Sequence, residues 1–199
     1  MNAKTKKPLD AGIVFGSLLD SLNKGFAKSN PNSGEYSIVL TAGAVYTYLA
    51  QKEGFLSLSE SIDLKIIESY MEITVDLQLM PIESGAVIRL NNLFFDTNKF
   101  NIKKEAEKEL NRVYELMIKY PKMQIEISGH TDNVGSDQEN LTLSINRAKS
   151  VADYLYLKGI QKDRIKYTGK GKTLPLADNN SEKGKAINRR IEMKVLKIE

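Results

Sequence analysis

Residues 128–148 decide the fold of the second half of this chain. They read SGHTDNVG at 128–135, then SDQE, then NLTLSINRA at 140–148. Immediately upstream, Ile125 and Ile127 alternate with polar residues, which predicts a strand that ends where this stretch begins. The sequence therefore predicts a strand end, a loop that carries a carboxylate, and a helix.

The helix after this loop is predicted to run from about Ser144 to Lys158. Ser144 can cap its N-terminus, and Gly159 suits the left-handed position after its C-terminus. Arg147 would then project from the first turn, while Asp132 sits at the end of the strand, fifteen positions earlier. A strand-loop-helix connection can bring the guanidinium and the carboxylate together at the opening of one pocket.

Further elements are predicted on both sides of this stretch. After Pro81, residues 86–90 read as a strand, and so do residues 165–167 and 190–198. A helix that Pro121 ends is predicted from apolar residues at helical spacing, namely Ile102, Ala106, Leu110, Val113 and Met117. The order β-α-β-α-β-β predicts two helices on one face of a mixed sheet.

The first half has the pattern of a small β-sandwich. A turn cluster at 30–34 precedes a predicted strand at 35–40, and the turn Ala42-Gly43 precedes another at 44–50. Residues 71–79 alternate, with four apolar residues on the inward face: Ile73, Val75, Leu77 and Leu79. The predicted fold class is therefore α+β, with a β-sandwich over 1–80 and a β-α-β-α-β-β domain over 81–199.

Composition excludes several functional classes. The absence of cysteine excludes disulfides and thiolate sites, and a single histidine supplies a metal site poorly. Lys and Arg total 29 against 25 Asp and Glu, interleaved, so a nucleic-acid partner is not predicted. No apolar run reaches the roughly 20 residues that span a bilayer. We therefore predict neither a metal nor another cofactor.

The start of the chain superficially copies a signal peptide. Three lysines precede the apolar stretch 11–19. However, Pro8 and Asp10 lie between the lysines and this stretch, and Asp20 ends it. We interpret the stretch as a strand. If the protein works outside the cytoplasm, these residues are expected to be a fragment of a longer exported chain.

Residues 128–148 resemble the wall-binding signature of the OmpA/Pal/MotB family, a GHTD-x-x-G loop followed by N-x-x-L-S-x-x-R-A. The resemblance extends from about residue 86 to the C-terminus. Further matching residues are Phe94, Phe95, Asp96, Asn98, Gly169, Lys170, Gly171, Pro175, Asn188, Arg189, Arg190, Ile191 and Glu192. It implies an OmpA-like domain that binds peptidoglycan noncovalently and anchors an outer-membrane or periplasmic protein to the cell wall. The implied location is the periplasmic face of the outer membrane of a Gram-negative bacterium, with membrane attachment through other parts of the protein.

The same resemblance implies a ligand and the residues that bind it. Diaminopimelate of the peptidoglycan stem carries an ammonium and a carboxylate on one carbon. By resemblance, Asp132 takes the ammonium and Arg147 the carboxylate. Thr131 and Asn140 would add hydrogen bonds, and Arg190 would close the pocket.

Several alternatives remain open at this stage. Asp132 and Arg147 can instead form an internal salt bridge, and His130 can be a structural residue that orients the loop. Lys172 stands where many relatives carry an acidic residue, and Arg189 is expected to be solvated. The chain can be a binding module without chemistry, which we favour, a wall-degrading enzyme, or a protein whose β-sandwich is the working part.

The first half also resembles the carboxypeptidase regulatory-like, transthyretin-like sandwiches. The matching stretches are residues 7–11, 34–38, Gly43 and 53–55. In that family a strand normally precedes the first of these stretches, so the domain is expected to lack its first strand. Three aromatic residues can pack in the sandwich core, which we favour, or line a carbohydrate surface: Tyr46, Tyr48 and Phe55.

Overall fold

The computed structural model describes residues 1–17, 24–67, 69–90, 100, 102 and 106–199. The described chain contains two four-stranded sheets and three α-helices. It divides into two compact units, Met1–Ile82 and Glu83–Glu199.

The N-terminal unit is built on an antiparallel sheet with the strand order β2-β1-β3-β4. Its strands are β1 (Gly12–Ser17), β2 (Lys24–Lys28), β3 (Val45–Gln51) and β4 (Leu58–Asp63). The strands expected at 11–19 and 44–50 are confirmed over the described residues. Strands β2 and β4 were not predicted, because KGFAK and LSESID contain few of the β-branched and aromatic residues that strands favour.

Extended segments cover one face of this sheet. Tyr36, Ile38, Val75, Leu77 and Leu79 pack in the core cluster beside β1 and β3. The strands predicted at 35–40 and 71–79 are nevertheless wrong, since neither segment forms a hydrogen-bonded ladder.

The prediction of which side chains face inward in residues 71–79 is correct only in part. Leu77 and Leu79 are buried, while Ile73 is 45% exposed. Tyr46 and Tyr48 are buried in the unit, as the core-packing interpretation expected.

The C-terminal unit forms a mixed sheet with the strand order β5-β8-β6-β7. Its elements are β5 (Val87–Arg89), α1 (Glu107–Lys119), β6 (Gln124–Gly129), α2 (Asp137–Leu157), β7 (Ile165–Gly169), α3 (Glu182–Asn188) and β8 (Ile191–Lys197). Strands β6 and β7 are parallel, and the other pairs are antiparallel. The predicted order is confirmed, with the short helix α3 as an addition. Ile102, where the predicted helix starts, is described and is not helical, whereas residues 103–105 and the motif at 94–98 lie outside the described residues.

Two glycines allow α2 to approach the sheet closely. Gly129 and Gly169 are paired in register at the ends of β6 and β7. A Cβ on Gly129 would lie 2.1 Å from the Ser144 carbonyl oxygen, and one on Gly169 would lie 2.4 Å from Ser144 Oγ. Ser144 Oγ also accepts a hydrogen bond from the Gly171 amide at 2.9 Å. The loops that follow β6 and β7 are thereby held against the same part of α2.

The predicted start of α2 is wrong. The helix begins at Asp137 and is capped by Ser136, which forms a reciprocal capping box with Glu139. Ser144 is fully buried in the helix interior and bonds the Leu141 carbonyl. Gly159 has a φ of +99°, which confirms the predicted C-terminal position.

Candidate functional site

The loop between β6 and α2 is held by backbone hydrogen bonds from both sides. The His130 amide donates to the Arg190 carbonyl at 2.9 Å, and the Thr131 amide donates to the Gly171 carbonyl at 3.0 Å. The Asn133 amide donates to Asn179 Oδ1 at 3.3 Å. The start of the loop is therefore fixed by residues near the ends of β7 and α3.

Asp132 is almost fully covered in this arrangement, with a residue exposure of 8%. Its Oδ1 accepts a hydrogen bond from the Val134 amide at 3.1 Å. Its Oδ2 lies 2.7 Å from Arg189 Nη1 in a charge-assisted hydrogen bond. One carboxylate oxygen thus shapes the loop, and the other holds a guanidinium.

Arg147 is buried near this pair, with an exposure of 4%. Because α2 begins at Asp137, Arg147 lies about three turns into the helix rather than in its first turn. Burial lowers the pKa of the Arg147 guanidinium, as does the positive charge of Arg189, while Asp132 opposes both. The predicted carboxylate and guanidinium therefore lie within electrostatic range of each other, with a second guanidinium beside them.

Thr131 and Asn140 occupy different positions around the loop. Thr131 is 4% exposed, and its Oγ1 has no hydrogen-bond partner among the described residues. A buried hydroxyl is usually bonded, so Thr131 Oγ1 has hydrogen-bonding capacity to spare beside Asp132. The Asn140 amide donates to the Val134 carbonyl at 2.9 Å and to the Ser136 carbonyl at 3.1 Å, so this amide shapes the loop.

The two consecutive arginines point to different partners. Arg190 is 7% exposed, and its Nε donates to Glu192 Oε1 at 2.7 Å. Its other nitrogens donate to the carbonyls of Leu174 and Asn188. Arg189, which was expected to be solvated, is the residue that contacts Asp132. The sequence carries no local signal for this contact of Arg189, because the two arginines are adjacent and chemically identical.

Asn188 completes this part of the site. Its side chain is fully buried, and its oxygen accepts from the amides of Leu176 and Ala177. Its nitrogen donates to the Ala177 carbonyl and to Asn179 Oδ1, the acceptor that also binds the loop. The end of α3 thereby connects the 176–179 segment to the loop between β6 and α2.

His130 is buried behind the loop, with an exposure of 2%. Its Nε2 lies 3.5 Å from Glu192 Oε2, longer than an ordinary hydrogen bond. Burial lowers the pKa of the ring to about 4, as does the charge of Arg190, and Glu192 only partly opposes this. The imidazole is therefore neutral at pH 7 and packs as part of the loop's support.

Lys172 joins the two loops at the edge of the site. Its Nζ donates to the Gly135 carbonyl at 3.1 Å and lies 2.7 Å from Asp137 Oδ1. The lysine thus pairs with an aspartate at the start of α2.

Neither a metal cluster nor a membrane-spanning helix is found among the described residues. They contain no group of three or more histidine or acidic side chains arranged to hold a metal ion. Within the same ranges, no helix combines the length and apolar character needed to cross a membrane.

Comparison with known proteins identifies the class to which this fold and loop belong. The profile of the OmpA family matches residues 94–189. The crystal structure of a MotB-like protein from Desulfovibrio vulgaris superposes with a TM-score of 0.51 at 30% identity, covering 57% of this chain and 73% of that one. The chain belongs to the OmpA family.

Two curated relatives match 62% and 43% of the chain. Outer membrane porin F of Pseudomonas aeruginosa is 35% identical over 124 residues, which is 62% of this chain and 35% of that protein. The peptidoglycan-binding protein ArfA of Mycobacterium tuberculosis is 44% identical over 86 residues, 43% of this chain and 26% of that protein. The chain thus spans about a third or less of the length of these two relatives.

Proposed function

We propose that the C-terminal unit binds peptidoglycan noncovalently and holds a protein of the bacterial envelope on the cell wall. The observation that carries the proposal is a buried polar group, formed by Asp132 and Thr131 on the loop and by Arg147 on α2, within the region that the OmpA profile matches. One relative, 44% identical over 86 residues, is named a peptidoglycan-binding protein. We further propose the periplasmic face of a Gram-negative outer membrane as the location.

The proposed ligand is the free end of diaminopimelate in the stem peptide. Its ammonium would bind the Asp132 carboxylate, and its carboxylate would bind the Arg147 guanidinium, with Thr131 Oγ1 adding a hydrogen bond. Asn140 would support this arrangement through the loop carbonyls that it bonds. Arg190 would support it through its contacts around Glu192 rather than by closing the pocket itself.

Arg189 sets a condition on this binding. Its Nη1 donates to Asp132 Oδ2 at 2.7 Å, so the ligand ammonium would compete with this guanidinium for the carboxylate. The Arg189 side chain is 39% exposed, so it can turn toward solvent, and the covered Asp132 carboxylate would then take the ligand ammonium as its counter-charge. The incoming ammonium would replace this guanidinium, and the ligand carboxylate would meet Arg147.

The expected affinity for one stem is low. A charge-assisted hydrogen bond contributes about 1.5–3 kcal/mol, and part of this is offset by the loss of the Arg189 contact. A single stem should therefore bind in the range of roughly micromolar to millimolar Kd. Retention on the wall would arise from rebinding among many stems. A reversible anchor of this kind performs no chemistry, and we propose that the protein is not an enzyme.

A sacculus pull-down tests the site. Wild-type protein should sediment with purified diaminopimelate-type sacculi, and Asp132→Ala and Arg147→Ala should both remain in the supernatant. Asp153→Ala is the matched control, because Asp153 lies on α2 and pairs with the exposed Lys149. Retained binding in both site variants, with the control unchanged, would refute the assignment.

The chemistry of the stem gives a second test. Stems that carry lysine in place of diaminopimelate lack the distal carboxylate, so they should bind much more weakly. Equal binding of the two sacculus types would contradict the assignment of Arg147. Release of soluble wall fragments during the incubation would instead favour an enzyme.

A further inference from the structure

The backbone around Asp132 is held on both sides of this residue. The amide of Thr131, which precedes it, donates to the Gly171 carbonyl at 3.0 Å. The amide of Asn133, which follows it, donates to Asn179 Oδ1 at 3.3 Å. The first acceptor is a backbone group, whereas the second belongs to a side chain. One of the two contacts that place Asp132 can therefore be removed by mutation.

The Asp132 carboxylate is oriented by the turn that follows it. Its Oδ1 accepts a hydrogen bond from the Val134 amide at 3.1 Å, as in the turns where an aspartate bonds the backbone two residues later. Along the chain, the Asn133 amide lies between these two bonded groups, and Asn179 holds it. A rotation of the backbone at Asn133 would move the Val134 amide as well. The contact with Asn179 therefore also preserves the hydrogen bond that orients the carboxylate.

Asn188 determines that Asn179 presents its oxygen, and not its nitrogen, to the loop. The Asn188 oxygen accepts from the amides of Leu176 and Ala177 at 2.7 and 3.0 Å, so the nitrogen on its other side is the donor. This nitrogen donates to Asn179 Oδ1 at 3.0 Å. Asn188 is fully buried. The Asn179 oxygen thus accepts two hydrogen bonds, one from the interior of the unit and one from the loop.

The second carboxylate oxygen of Asp132 is controlled from the same part of the unit. Asp132 Oδ2 accepts from Arg189 Nη1 at 2.7 Å, and Arg189 directly follows Asn188 in the chain. Asn188 therefore lies behind both contacts, since it supports Asn179 through its side chain and Arg189 through the backbone. A binding group needs supporting contacts that hold it within about 0.5 Å of its productive geometry. Asn179 supplies such a contact for the Asp132 loop.

We propose that Asn179 is a positioning residue for Asp132. Its Oδ1 fixes the Asn133 amide and thereby holds the Asp132 carboxylate where the ammonium of a ligand meets it. Asn179 acts through the loop backbone and does not itself bind the ligand. This inference rests on the proposed function, because the ligand is the stem peptide assigned to the Asp132 site.

The first measurement is the exchange of loop amides with solvent, followed by NMR in the full chain without ligand. In Asn179→Ala, exchange at Asn133 should accelerate about fivefold or more, because this amide loses its acceptor. Exchange at Val134 should accelerate with it, because the contact with Asp132 Oδ1 depends on the same turn. Exchange at Thr131 should be unchanged, since its acceptor is a backbone carbonyl that the substitution leaves in place.

The second measurement is the affinity for a soluble stem peptide that contains diaminopimelate, taken from NMR shifts. Asn179→Ala should bind about fivefold more weakly than the wild type, which corresponds to the loss of one ordinary hydrogen bond. Asn179→Asp should bind within about twofold of the wild type, because a carboxylate oxygen accepts the same two hydrogen bonds. Asn180→Ala serves as the control, since Asn180 is exposed and bonds Asp178 through its backbone amide, which the substitution retains.

Three results would overturn the proposal. Unchanged exchange at Asn133 and Val134 in Asn179→Ala would show that the loop is held without this side chain. Faster exchange with unchanged affinity would show that the contact does not position the carboxylate, and equal weakening by Asn179→Asp would exclude the acceptor as the cause. If the wild type does not bind the stem peptide at millimolar concentration, the proposed function fails. Exchange at Val134 then still decides whether Asn179 holds the Asp132 carboxylate.

Discussion

Both units pack an apolar layer against a four-stranded sheet, but they form that layer differently. In the C-terminal unit a helix, α2, lies against β6 and β7 where Gly129 and Gly169 remove the side chains between them. In the N-terminal unit the layer includes extended segments whose inward residues include Leu77 and Leu79. The helix satisfies its backbone hydrogen bonds internally, whereas the extended segments need hydrogen-bond partners elsewhere in their unit.

The partners of the extended layer are spread through the N-terminal unit. The Val75 carbonyl accepts from Tyr36 Oη at 2.8 Å. The Leu79 amide donates to the Met1 carbonyl, and its own carbonyl accepts from Ala3. Buried backbone groups must be bonded, so such a segment is fixed at a few points instead of along a ladder. The difference teaches that an alternating pattern predicts which side chains face inward more reliably than it predicts a strand.

The largest effect is expected from a side chain placed between helix and sheet. Gly129→Ala would put a methyl group 2.1 Å from a backbone oxygen of α2, so the C-terminal unit should lose about 3 kcal/mol or more of unfolding free energy. The nearest atoms to the methyl group of Gly25→Ala in the N-terminal unit belong to the movable ring of Phe15, so this change should cost about 1 kcal/mol. Native-state hydrogen exchange reads each unit separately. Equal losses would remove the distinction between the two layers.

The next effect concerns the extended layer itself. Leu79→Ala deletes a side chain that is 1% exposed and should destabilise the N-terminal unit by about 3 kcal/mol. Ile73→Ala, at an alternating position that is 45% exposed, should cost roughly 0.5 kcal/mol or less. Chemical denaturation of both variants provides the comparison. A similar cost at the two positions would show that the segment is packed along its whole length.

A third effect distinguishes the units by pH. The pKa of His130 is about 4 in the folded state and about 6.5 unfolded, so the unfolded chain binds the proton first. The C-terminal unit should lose about 3 kcal/mol of stability between pH 6.5 and pH 4. The chain has one histidine, so the N-terminal unit should not show this histidine-dependent loss of stability. His130→Gln should flatten the profile, and an unchanged slope in this variant would assign the effect to other groups.

The smallest effect tests one fixing point of the extended layer. Tyr36→Phe removes the donor to the Val75 carbonyl and should cost the N-terminal unit about 1 kcal/mol. Tyr70→Phe is the matched control, because this ring is 88% exposed. Hydrogen exchange near Val75 should accelerate only in the first variant. Protection that survives Tyr36→Phe would indicate that the segment is held without this bond.

Several misses have identifiable physical causes. The start of α2 was misplaced although SDQE at 136–139 contains the serine and glutamate of a capping box. Ser144 resembled a cap because serine is favoured there, but its hydroxyl instead bonds within the helix and to Gly171. Helix α3 was missed because it has seven residues and an internal glycine, Gly184. Short elements form through tertiary contacts that local propensity does not contain.

The sequence by itself determined the order of the elements in the C-terminal unit and the loop that carries Asp132, because hydrophobic periodicity and a long motif are local properties. Only the tertiary structure decided which arginine contacts that aspartate. Neighbouring residues on an extended chain point to opposite sides. Arg190 shares its side with Glu192, two residues later, and Arg189 turns to Asp132. The choice depends on where β8 begins, which is set by its pairing with β5 and β6.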